Sequence, residues 1–222
     1  MGQDQPRPEV GPPAESPVRP PPVVAFDFDG TLTVRDSYTA FLKWRAGPWR
    51  YAQGMARLIP AALAYLFHRD RGRIKAAATR EFLGGVPRQV LEADARAFAE
   101  RFSRSLLRPD AVAAWKRWRG ERVRLVIVTA SPELIVAPFA RGLGADALLG
   151  TELAFDAQDR VVGGFGTPNC RGPEKVARLK AAFGPDLELR AAYGDTGGDR
   201  EMLAMAEIKG YRVFKGTPQG PA

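Results

Sequence analysis

Three stretches of the chain are continuously apolar and end abruptly in polar residues: "VVAFDFDG" (23–30), "VRLVIVTAS" (123–131) and "LRAAYGDT" (189–196). Short unbroken apolar runs of this kind belong to strands buried on both faces, as in a parallel sheet. "DALLG" (146–150) and "YRVF" (211–214) are shorter candidates. Between them, apolar positions recur at helical spacing over Pro132–Leu143, Pro173–Phe183 and Asp199–Glu207. Strands alternating with helices of this length predict right-handed β-α-β units and an α/β fold built on a doubly wound parallel sheet. "TELAFDAQDRVVGGF" (151–165) breaks the alternation and reads as a hairpin turning around Asp156–Asp159.

The stretch from about 36 to 108 contains no convincing strand and is helical and arginine-rich. An all-helical segment inserted after the first strand predicts a cap domain (36–108) over a core domain made of 23–35 and 109–222. Within it, "YAQGMARLIPAALAYLF" (51–67) is strongly apolar but interrupted by Gln53, Arg57 and Pro60. It falls short of the ~20 apolar residues that span a bilayer. Two readings fit: a helix hairpin buried inside the cap, or an interfacial segment that meets lipid or a greasy substrate. Ahead of the first strand, the proline-rich residues 1–22 are expected to be a disordered tail. They lack the apolar run of a signal peptide, which leads us to expect a cytoplasmic protein, in the lipid reading one at the inner face of the membrane.

Composition narrows the chemistry. With 45% apolar and 26% charged residues, the chain has the make-up of a globular protein, and its net charge of +8 favours anionic partners. The arginines are scattered rather than blocked and no recognition motif accompanies them, so nucleic acid is not an expected partner. One cysteine (Cys170) and one histidine (His68) exclude an internal disulfide and a Cys/His zinc site. A cysteine-based phosphatase would need arginine six positions after Cys170, where Val176 stands. We read Cys170 as a packing residue and His68 as a cap-surface residue. Hydrolytic chemistry would therefore rest on carboxylates, lysine and metal.

Ligands of a doubly wound sheet bind where loops leave the carboxyl ends of the strands. The three strongest strands end in Asp27 and Asp29, in Thr129 and Ser131, and in Asp195 followed by Asp199; Lys175 stands near the start of a helix after "NCRGPEK". Each has a structural excuse alone, since Asp before Gly is a common turn residue and "TASPE" suits a helix cap. Together they converge on one site. Four carboxylates meeting there require a multivalent cation, and oxygen-only ligation suits a hard ion such as Mg²⁺. The lysine implies an anionic visitor, and a phosphoryl group meets both demands.

"DFDGTLT", "VIVTASPE", "GPEK" and "GDTGGDREML" resemble the four motifs of the haloacid dehalogenase (HAD) superfamily, specifically its phosphatases, across residues 23–216. The helical segment after the first motif is similar to the phosphoserine-phosphatase-like branch. "SPELIVAPFARGLGADALLGTEL" and "NCRGPEKVARL" resemble the HAD-IB hydrolases, some of which are phosphatidylglycerophosphate phosphatases. The resemblance implies a Rossmann-like core, a Mg²⁺ cofactor and an aspartyl-phosphate on Asp27. Asp29 would serve as acid and base and would ligate the metal through its backbone carbonyl. Asp195 and Asp199 would be further metal ligands, Thr129 and Lys175 would hold phosphoryl oxygens, and the acid at Asp29 argues against a dehalogenase. Asp36 stands where phosphoserine phosphatases carry a substrate-recognising glutamate, and its shorter side chain argues against phosphoserine itself.

The expectation is a Mg²⁺-dependent phosphomonoester hydrolase acting on phosphatidylglycerophosphate or a related lipid head group, with peripheral membrane contact through the cap. The alternatives are a phosphatase of phosphoserine or another small metabolite, a phosphotransferase or mutase, and a catalytically silent membrane or scaffold protein.

Overall fold

The computed structural model describes residues 20–68 and 71–218, without the side chains of 64–71. The tail expected over 1–22 therefore lies outside the described residues except for its last three, and so does the side chain of His68. Five parallel strands form the central sheet: β1 (Val23–Phe26), β2 (Arg124–Pro132), β3 (Ala147–Thr151), β6 (Leu189–Gly194) and β7 (Ile208–Tyr211), in the order β3-β2-β1-β6-β7. The connections run outward in both directions from β1, which makes the sheet doubly wound.

Alternation along β1 shows why this run is apolar at every position. Val24 and Phe26 enter a large cluster on one face, with Trp115, Ile135 and Phe139; Val23 and Ala25 enter a second on the other, with Leu179, Met202 and Leu203. Helices α5 (Pro109–Arg119) and α6 (Glu133–Leu143) cover the first face, and α7 (Pro173–Phe183) and α8 (Arg200–Met205) the second. The anticipated hairpin is present as β4 (Leu153–Phe155) and β5 (Val161–Phe165), paired antiparallel.

Two expectations shift. The last strand is not 211–214 but Ile208–Tyr211, because Arg212 adopts φ 53° and its N–H bonds back to the carbonyl of Gly194, ending the extended run. The helix expected over Asp199–Glu207 begins with a tight turn at Gly197–Asp199, capped by the Thr196 hydroxyl, and ends at Met205.

Among the described residues, four helices fill the chain between β1 and α5: α1 (Ser37–Arg57), kinked where Gly47 takes φ 72°, then α2 (Ile59–His68), α3 (Arg71–Leu83) and α4 (Arg88–Leu106). They share the first cluster with the sheet. Phe98 of α4 meets Phe41 and Trp44 of α1 and Phe139 of α6 at ring-centroid distances of 5.4, 5.5 and 6.0 Å. The reading of 51–67 as a buried hairpin does not hold for the described residues. Only Gly54 and Leu58 are buried there, while Met55, Ile59 and Leu63 are exposed. Gly54 lies against Phe82, with room for no Cβ, so α3 covers one side of this helix and nothing described covers the other.

Candidate active site

The loops at the carboxyl ends of β1, β2 and β6 meet in a cleft of about 280 Å³. Asp27 follows the last residue of β1, and its N–H bonds to the Tyr193 carbonyl at 2.9 Å. The chain then turns through Gly30 at φ 82°; a Cβ there would stand 2.2 Å from Asp195 Oδ2, so only glycine lets the β1 loop close over the β6 loop. On the β6 side, Asp199 lies under Gly194 and accepts from the N–H groups of Asp195 (3.2 Å) and Thr196 (2.9 Å).

Lys175 joins these loops. It reaches in from the first turn of α7, is 1% exposed, and donates to Asp27 Oδ1 (2.6 Å), Asp199 Oδ1 (2.7 Å) and the Val128 carbonyl (2.6 Å). All three donor hydrogens of the ammonium are thereby used. Burial alone would lower its pKa, but Asp27 and Asp199 hold it above the usual lysine range. Asp199 is correspondingly held below the carboxylate range by Lys175 and by its backbone bonds, against the effect of burial. Burial pushes Asp27 up to about 7 against the pull of Lys175, with Asp199 adding to the rise.

One oxygen each of Asp27, Asp195 and Asp199 lies within 4.8 Å of the others. Asp195 Oδ1 is buried without a hydrogen-bond partner, and burial followed by the charge of Asp199 raises its pKa. Such an acceptor-only oxygen asks for a cation. Three carboxylates converging on one point fit a hard divalent ion, which would also favour ionised Asp27.

Asp29 sits apart from this cluster. Its Oδ1 accepts from the Ser37 N–H at 2.7 Å and its Oδ2 from the Ser131 hydroxyl at 2.5 Å. Burial, with Asp36 adding charge nearby, raises its pKa although both serines oppose this. The two carboxyls of "DFDG" thus face different surroundings, one bound to an ammonium and one held by neutral donors.

Of the remaining candidates, Asp36 lines the cleft and caps α1, its Oδ1 accepting from the Thr39 N–H at 2.6 Å. Thr129 is fully buried and accepts from the Ser131 N–H at 3.0 Å, while Ala130 lines the cleft instead. Cys170 is buried and its thiol is pushed up to about 11 by burial, as suits a packing residue. Ser131, expected at the end of the second strand beside Thr129, is there, although nothing local marks its hydroxyl as the partner of Asp29. Two contributors escape a reading of the sequence alone: Lys75 of α3 and Arg171 also line the cleft. Lys75, which donates to the Ala130 carbonyl at 3.3 Å, has no local signal among the many basic residues of its segment.

The haloacid dehalogenase-like hydrolase model matches residues 24–204, spanning all of these loops. The chain belongs to this family. Protein CicA from Caulobacter vibrioides (strain NA1000 / CB15N) is 63% identical over 198 residues, 89% of this chain and 89% of its own length. Among solved structures, a protein of unknown function from Bordetella pertussis Tohama I superposes with TM-score 0.68 at 22% identity, covering 84% of this chain and 87% of its own. A phosphoserine phosphatase carrying a phospho-aspartyl intermediate analogue superposes with TM-score 0.54 at 16% identity, covering 86% of each chain. This HAD hydrolase therefore shares its fold with phosphoserine phosphatases, and its carboxylate loops stand at the carboxyl end of the sheet.

Proposed function

We propose that the protein is a Mg²⁺-dependent phosphomonoester hydrolase that works through an aspartyl-phosphate on Asp27. The observation that carries the reading is the meeting of Asp27, Asp195 and Asp199 around one point, with Lys175 bonded to two of them. Those three carboxylates and the Asp29 carbonyl would hold the ion, Asp199 directly or through water. When bound, it offsets the repulsion between the carboxylates and a phosphoryl group.

In the first step an Asp27 oxygen bonds to phosphorus as the ester P–O bond breaks, and Asp29 gives its proton to the departing alkoxide. The raised pKa of Asp29 suits a group that must start protonated. In the second step water attacks the same phosphorus, Asp29 takes the water's proton, and Asp27 leaves as carboxylate with inorganic phosphate. Lys175 neutralises charge on the transferring group. Thr129, buried outside the cleft lining, accepts from the Ser131 N–H and so positions the segment that presents Ala130 and Ser131 to the cleft.

We take α1–α4 as the cap of the HAD-IB arrangement, and the core as the remaining strands and helices. The substrate reading is a phosphorylated head group such as that of phosphatidylglycerophosphate, met at the cytoplasmic face of a membrane. It is supported by Lys75 and Arg171, which add positive charge to the cleft lining.

The direct test is the Asp27→Asn variant with an aryl phosphate and Mg²⁺. The parent should release inorganic phosphate stoichiometrically, which also separates hydrolysis from transfer to another alcohol. The variant should lose turnover by about three orders of magnitude or more. Undiminished turnover would end the assignment.

A further inference from the structure

Four of the nine large hydrophobic side chains exposed among the described residues fall within fifteen positions of one another: Trp49 (83% exposed), Met55, Ile59 and Leu63. The others are dispersed over α4, β5, β7 and the chain after β7, and need no explanation. Trp49, Ala52, Ala56, Ile59 and Leu63 follow one another at steps of three and four residues from α1 into α2, and Met55 flanks them. At that spacing they occupy a single helical stripe, and every member is exposed. The opposite side carries Gly54 and Leu58, both buried, with Gly54 against Phe82 of α3. This is an amphipathic helix turned the wrong way for a protein interior: its richer apolar side points to water. An apolar stripe of that kind marks a surface that meets something.

The charge around it indicates what. The sequence over 37–83 carries nine Lys/Arg against two acids, Asp70 and Glu81, so most of the chain's net charge of +8 resides there. Glu81 is occupied by Arg50 and Arg57 at 2.6 and 3.1 Å. A second copy of this chain docking stripe to stripe would bring two strongly basic surfaces together, since an isologous contact opposes each patch to itself. An anionic lipid surface attracts the same charge, accepts leucine, isoleucine and methionine at the acyl boundary, and places tryptophan at the headgroup level. No helix among the described residues is long and apolar enough to cross a membrane, so the contact is peripheral.

We propose that the stripe from Trp49 to Leu63 is a membrane-docking surface that inserts shallowly into anionic bilayers. This goes beyond the catalytic reading and does not depend on it. The stripe belongs to the same helical segment that supplies Asp36 and Lys75 to the cleft, so docking would hold the cleft close to the lipid.

The test uses the full chain and sedimentation with vesicles of phosphatidylcholine alone or mixed with phosphatidylglycerol. The parent should bind the mixed vesicles, bind neutral ones weakly, and lose affinity as salt rises. Ile59→Asp/Leu63→Asp, two exposed positions outside the cleft, should weaken vesicle binding by about tenfold or more while turnover of a water-soluble aryl phosphate is unchanged. Vesicle binding should persist in saturating inorganic phosphate, which competes for the cleft; abolition of binding by phosphate at constant ionic strength would show capture of a lipid in the active site and overturn the proposal. Failure of the parent to bind anionic vesicles, or full binding by the double variant, would overturn the proposal. A dimer in sedimentation equilibrium that the double variant dissociates would overturn it in favour of a second copy.

Discussion

Replacing Lys175 with methionine removes one charge from a fully buried set and leaves Asp27 and Asp199 facing each other without it. Methionine keeps the length and bulk of the side chain, so packing is close to conserved. Three hydrogen bonds are lost, two of them to carboxylates that are almost completely enclosed. Breaking a buried ion pair by removing one partner costs about 3–5 kcal/mol, a large share of the ~5–15 kcal/mol that holds a domain folded. If uncompensated charge is the cause, most of the cost should return when Asp199 is neutralised as well. The Asp199→Asn change keeps a carbonyl oxygen for the N–H groups of Asp195 and Thr196 and can turn its amide towards Asp27. The Lys175→Met/Asp199→Asn variant should therefore be more stable than Lys175→Met by about 2 kcal/mol. Urea unfolding with linear extrapolation, without divalent metal, measures all four corners of the cycle. A double variant whose losses simply add would refute the electrostatic account and leave lysine as a packing residue. Both variants should be catalytically inert, which separates stability from chemistry.

Two other perturbations probe different links of the argument. Ser131→Ala removes the hydroxyl that holds Asp29 Oδ2 at 2.5 Å, so turnover should fall by about tenfold or more, with thermal stability almost unchanged; an unaltered rate would show that Asp29 needs no such positioning. Phe98→Ala, at the meeting of α1, α4 and α6, should cost about 3–5 kcal/mol and shift one common transition seen by tryptophan fluorescence and by circular dichroism. Two separated transitions would show that the helical segment unfolds independently of the sheet.

The sheet is legible in the sequence because strands buried on both faces must be apolar at every position, and β1, β2 and β6 stand out that way, with their carboxylates at the ends. The final strand is misplaced by the same pattern, because apolar character persists through Val213 and Phe214 whereas the backbone leaves the sheet at Arg212. Motif spacing brings Asp27, Asp195, Asp199 and Lys175 to one region, but it does not say that the ammonium is shared between two carboxylates. Lys75 is hidden for another reason: its approach to Ala130 depends on how α3 packs against β5 of the hairpin, which no local pattern encodes. The stripe along α1 and α2 shows the same limit from the other side. Periodicity identifies an apolar face, but whether protein or water lies against it is decided by elements far away in the chain.

The aromatic contact of Phe98 with Phe139 also bears on how this architecture could be altered. A helical segment sewn to the sheet by shared rings is not an interchangeable part. Exchanging residues 36–108 for the equivalent segment of a relative would remove Phe98 from Phe139 and leave it only Phe28, 5.5 Å away on the core side, unless Phe139 and its neighbours travelled with the segment. For this protein the exchangeable unit is the segment together with the helix beneath it.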